Sequence, residues 1–79
     1  MNPPIYSKQA AKVLNGLDKP TQQRIRQSVA KIPDGDIKPL QGYTEGHKRL
    51  RIGKYRIVFK TVEKELFILE IGSRGDIYK

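Results

Sequence analysis

Residues 47–60 read HKRLRIGKYRIVFK, and this stretch restricts the fold more than any other part of the chain. Apolar and charged residues alternate on both sides of a Gly-Lys pair, the pattern of two half-buried strands. Gly53 in first place suits a two-residue hairpin turn, because that position needs a positive φ. Such a turn sets the register: Ile52 faces Tyr55, Arg51 faces Arg56, Leu50 faces Ile57 and Arg49 faces Val58. Leu50, Ile52, Tyr55, Ile57 and Phe59 then share a side that has to be covered. His47, Arg49, Arg51, Arg56, Val58 and Lys60 share the other.

The cover has to come from the first half of the chain. Ser7 can cap a helix in which Ala10, Val13, Leu14 and Leu17 keep the i, i+3, i+4, i+7 spacing. Asp18-Lys19-Pro20 opens a second helix with Ile25, Val29 and Ile32 inward and Arg24, Arg26 and Lys31 toward water. PDGD (33–36) ends it, and a loop runs on to Gly46 through Pro39, Gly42 and Tyr43.

A third strand is expected over 66–73, closed by the three-residue turn Glu63-Lys64-Glu65, with Phe67, Leu69 and Ile71 on the core side. A two-residue turn would instead bury Glu70 and is rejected. Val58 then lies beside Glu70, and Arg74 emerges on the charged face. Ile5 and Tyr6 are a candidate edge strand. The expected fold is α+β: an N-terminal helical hairpin packed on a small three- to four-stranded antiparallel sheet. A single domain, residues 1–79, is expected at this length.

Composition narrows the function. Sixteen basic residues against eight acidic ones leave a net charge of +8, which points to an anionic partner. The chain has no Cys and a single His, so thiolate zinc sites and cysteine nucleophiles are excluded and no metal site is expected. No cofactor motif is present. No apolar run approaches a membrane span and nothing at the N-terminus reads as a signal peptide, so a cytoplasmic protein with no membrane partner is expected.

Arg51 directly opposite Arg56 is mildly destabilising unless an anion sits between them. Taken singly, each of these charges is more simply a solvated side chain. Gathered on one face, with His47 among them and Arg74 at its edge, they describe a site for phosphate.

RLRIGKYRIVF (49–59) and EIGSRGDIYK (70–79), in helix–helix–three-strand order, resemble the RelE branch of the RelE/ParE superfamily. These are the toxic halves of type II toxin–antitoxin pairs. The resemblance spans nearly the whole chain and is strongest from Gly46 to Tyr78.

It implies a metal-independent endoribonuclease that cuts messenger RNA in the ribosomal A site by attack of the ribose 2′-OH on the adjacent phosphate. It also implies a cognate acidic antitoxin, and operator DNA bound only through the antitoxin complex. Carried over by position, the catalytic set is His47, Arg49, Arg56, Arg74 and Tyr78, with Lys48 as an alternative to its neighbours. Lys48, Arg51, Lys54 and Lys60 are the accompanying RNA and phosphate contacts. Arg56 and Arg74 suit stabilisation of the phosphorane, since guanidinium meets phosphate in a bidentate way.

The proton acceptor stays open among His47, Lys48 and Tyr78, because Arg does not deprotonate below a pH of about 12. Two other readings compete. The ParE branch shares the fold and poisons DNA gyrase by binding, and a passive basic RNA-binding module needs no chemistry at all.

Overall fold

The structure, a computed structural model, describes residues 3–32, 34–39 and 46–73. In chain order the elements are β1 (Ile5–Tyr6), α1 (Lys8–Asn15), α2 (Lys19–Ala30), β2 (Asp36–Pro39), β3 (Lys48–Ile52), β4 (Tyr55–Val62) and β5 (Glu65–Ser73). The strands form one sheet in the order β1-β5-β4-β3-β2. β1 runs parallel to β5, and every other pairing is antiparallel.

Both helices start at the expected residues. The Ser7 hydroxyl accepts from the Ala10 amide at 3.0 Å and donates to the Leu69 carbonyl at 2.6 Å. One side chain therefore caps α1 and ties it to the sheet. α2 opens at Asp18 with Pro20 in its first turn, where a missing N–H costs nothing. Ala10, Leu14, Ile25 and Val29 point inward and pack on Leu50, Ile52, Ile57, Phe59, Ile68 and Ile71 of the sheet.

β3 and β4 pair as the turn requires, with Ile52 opposite Tyr55, Arg51 opposite Arg56, Leu50 opposite Ile57 and Arg49 opposite Val58. Gly53 takes φ +58°, as a two-residue hairpin turn demands of its first residue.

The other edges depart from expectation. The sheet has five strands and is mixed, not three or four antiparallel ones. β2 was expected to be loop, because in DIKP only Ile37 faces the core and Pro39 donates nothing to a ladder. Those properties suit an edge strand seated on β3.

The β4–β5 turn has two residues, Glu63-Lys64, so Val62 pairs with Glu65, Lys60 with Phe67 and Phe59 with Ile68. A bulge then leaves Leu69 outside the ladder, and Val58 pairs with Glu70. The extra residue restores the side-chain parity. Ile68 and Ile71 are both fully buried while Glu70 keeps to the charged face. Phe67 and Leu69, expected in the core, are replaced there by Ile68.

β1 reaches only as far as Ile68, and α1 continues its work along the outer edge of β5. The Gln9 side-chain amide donates to the Ile71 carbonyl at 3.3 Å and accepts from the Ile71 amide at 3.2 Å. One carboxamide thus satisfies both backbone groups that a further strand residue would have paired.

Candidate nucleic-acid interface

The face of the sheet turned away from the helices can be read in rows across the strands. One row places Asp36, Arg51 and Arg56 side by side, ending at Gly72. The next places Lys38, Arg49, Val58 and Glu70. Beyond the bulge a third row runs from Lys60 to Phe67 to Ile5. Arg49, Arg51, Arg56 and Lys60 are therefore on one face, as the hairpin register implied. His47 stands one residue before β3, half-buried.

Two features of this face were not expected. Its centre is closed: Val58 has no exposure and Arg49 is only 9% exposed. The aliphatic stems of Arg49 and Glu70 flank Val58 on neighbouring strands and are placed to cover it. Lys38 also joins the face beside Arg49, brought there by β2. No hairpin signal within residues 33–46 announced that contribution; only the single inward Ile37 between two polar residues hinted at it.

Other candidates fall elsewhere. Lys48 pairs with Phe59 and Pro39, so strand alternation turns it to the helix side of the sheet, where it is exposed at the strand's start. It does not share a face with Arg49. Lys54 sits in the β3–β4 turn with its ammonium 5.4 Å from the Tyr55 ring centroid. It lines the cleft between α2 and the hairpin with Asp18, Thr21 and Arg24. Lys60 remains on the charged face, its ammonium 5.9 Å from the Phe67 ring centroid. Arg74 and Tyr78, and also Tyr43, lie outside the described residues.

Two titratable groups away from the charged face are shifted. A 2.7 Å hydrogen bond from the Thr21 hydroxyl holds the Asp18 carboxyl below the usual carboxylate value. Burial pushes the Tyr6 phenol up, against a smaller pull from Arg26. Among the described residues no cluster of His, Asp and Glu could hold a metal ion. No helix among them is long and apolar enough to cross a membrane.

A small helical hairpin packed on one face of a sheet is a fold shared with known toxins. The chain belongs to the family of ParE toxins of type II toxin–antitoxin systems, whose model matches residues 5–78. It is thus a type II toxin–antitoxin toxin of the RelE/ParE superfamily, with a RelE-like fold. It is similar to a chain of the RelB–RelE antitoxin–toxin complex from Methanococcus jannaschii, with 22% identity over 94% of each chain and a TM-score of 0.75. A chain of the archaeal RelE–RelB complex from Pyrococcus horikoshii OT3 is 26% identical, over 96% of this chain and 99% of that one, with a TM-score of 0.72. YafQ from Escherichia coli is 14% identical over the whole of both chains, with a TM-score of 0.75. Comparison with curated protein sequences found no significant match.

Proposed function

We propose that this toxin is a ribosome-dependent messenger RNA endonuclease that uses no metal. The observation that carries the reading is the Arg51–Arg56 pair, set directly across two strands with Arg49 and Lys38 in the adjoining row. Asp36 flanks Arg51 from β2, but Arg51, Arg56, Arg49 and Lys38 together leave these two rows net cationic, which suits a phosphate lying over the pair.

The reaction is an internal transfer. The 2′-oxygen attacks phosphorus, the bond from phosphorus to O5′ breaks, and a 2′,3′-cyclic phosphate and a 5′-hydroxyl result. Arg56 and Arg74 stabilise the extra charge of the phosphorane more than that of the ground state. Arg49 is well buried, and a preorganised guanidinium there holds its orientation at no further cost.

The 2′-OH proton goes to His47 or Tyr78, and the departing O5′ takes up a proton from solvent. Lys48 is disfavoured by its strand position on the opposite side of the sheet. Arg51 and Lys60 contact neighbouring phosphates, and Lys54 does so from the turn. The site of action is the ribosomal A site, in the cytoplasm. The neighbouring structures include complexes with RelB and DinJ antitoxins, which supports a cognate antitoxin for this chain. An acidic one would cover the cationic face and would carry the operator DNA contact.

A second reading has its own support, since the matching family model is that of ParE toxins. On that reading the chain binds DNA gyrase and cuts no RNA. Induction followed by mapping of messenger RNA 5′ ends separates the two. New 5′-hydroxyl ends within translated codons support the nuclease, whereas intact messages with gyrase-dependent DNA breaks overturn it.

A further inference from the structure

The two-residue turn at Glu63-Lys64 has a chemical consequence. It sets Phe67 opposite Lys60, on the cationic face of the sheet, with Ile5 on its other side. Ile5 is 44% exposed, and Val62, on the same face at the end of β4, is 47% exposed. Phe67 itself is half-buried, its ring anchored in the sheet with the Lys60 ammonium near it. A large aromatic ring on the outer face of a sheet usually costs solubility, and here it adjoins a run of cations.

We propose that Phe67 is a nucleobase-stacking platform for single-stranded RNA, with Lys60 as its phosphate contact. This rests on the nuclease reading for its RNA but assigns a site outside the reacting groups.

Three observations favour a nucleobase over an apolar peptide side chain. The described residues of this face carry Lys38, Arg49, Arg51, Arg56 and Lys60 against Asp36, Glu65 and Glu70, so the surface is complementary to a polyanion. A cation beside an aromatic ring is the pairing that stacks a base and holds its phosphate together. Lys60 follows Arg56 by four residues on β4, a separation of roughly 13–14 Å at ~3.4 Å per residue. An extended strand with a phosphate at Arg51–Arg56 therefore brings a base about two nucleotides away over Phe67. The platform would select the position of the strand and stay indifferent to base identity, because every base has a π-face.

The test measures binding of a fluorescein-labelled 2′-O-methyl hexaadenylate, which cannot be cleaved, and of the same backbone made abasic at each position in turn. Phe67→Ala is expected to weaken hexaadenylate binding on the order of tenfold with an unchanged salt slope. Arg51→Ala should lower that slope by about one. For one abasic position, wild type and Phe67→Ala should bind alike. Phe67→Trp should retain affinity, and its indole fluorescence should be quenched by the hexaadenylate; this variant also serves if the alanine form fails to fold.

Equal binding by wild type and Phe67→Ala at every position, no quenching in Phe67→Trp, or no binding by wild type would each overturn the platform. So would unchanged RNA affinity in a Phe67→Ala toxin that no longer co-purifies with its antitoxin, since the corner would then be a protein contact. If Phe67-dependent binding is found but no message is cut in cells, the platform stands and the nuclease reading fails.

Discussion

Replacing Gln9 with alanine removes a single side chain but two backbone partners, and the effect can be worked from the geometry. The carboxamide bonds to both the amide and the carbonyl of Ile71 at 3.2 and 3.3 Å. A typical hydrogen bond contributes about 1 kcal/mol net. These two are long and Gln9 itself is exposed, so water replaces part of what is lost. Together they are expected to contribute about 1 kcal/mol, or a fall in Tm of ~4–8 °C for a domain this small.

Gln9→Glu sharpens the test. A carboxylate can still accept from the Ile71 amide, but it turns a lone pair toward the Ile71 carbonyl, so its folded pKa should rise above the usual value of about 4.3. A raised carboxyl pKa means that the stabilising neutral form persists at low pH and is lost as pH rises through the folded value. Gln9→Glu should therefore approach wild type near pH 3 and fall below it at pH 7. Thermal melts by circular dichroism at both pH values, with hydrogen exchange at Ile71, would measure this. If Gln9→Ala melts with wild type and the Ile71 amide exchanges no faster, the edge of β5 is held by packing alone and the clamp is refuted.

Arg56→Ala should reduce message cleavage by roughly a hundredfold or more, with stability changed by no more than about 1 kcal/mol; growth arrest on induction, read beside a melt of the purified variant, checks both. Glu63 holds φ 56° in the β4–β5 turn, so Glu63→Gly should raise stability by about 0.5 kcal/mol once the greater freedom of unfolded glycine is subtracted. Gly53→Ala should instead lower it by about 1 kcal/mol, because φ there is +58° and a Cβ would stand 3.4 Å from an Arg24 guanidinium nitrogen; chemical denaturation measures both turns. Asp18 has a lowered pKa through Thr21, so its contribution is present above the ordinary carboxylate value and is lost as pH falls through the lower folded value. Wild type should exceed Asp18→Ala in Tm at pH 6, and the gap should close on acidification toward pH 2.

What the sequence alone determined is local. The β3–β4 register follows from one turn, because the φ demanded of Gly53 and the alternation beside it leave no second solution. That register is enough to place Arg49, Arg51, Arg56 and Lys60 on one face. Both helix starts are local as well: the Ser7 side chain caps α1 three residues on, and Asp18 with Pro20 just after it opens α2.

Tertiary structure decided whatever depended on competition between distant residues. A two-residue turn at Glu63-Lys64 and an unbroken ladder cannot both be kept without burying Glu70. Displacing Leu69 costs one ladder position, and it allows Ile68 and Ile71 to pack against the helices together. Period-two patterning is blind to such a bulge and, by requiring a three-residue turn, puts Phe67 on the wrong side. β2 likewise becomes a strand only because β3 offers it an edge, and with it Lys38 comes to lie beside Arg49. The charged side chains were legible one strand at a time; the closed centre at Val58 and the aromatic corner at Phe67 arise only where three strands meet.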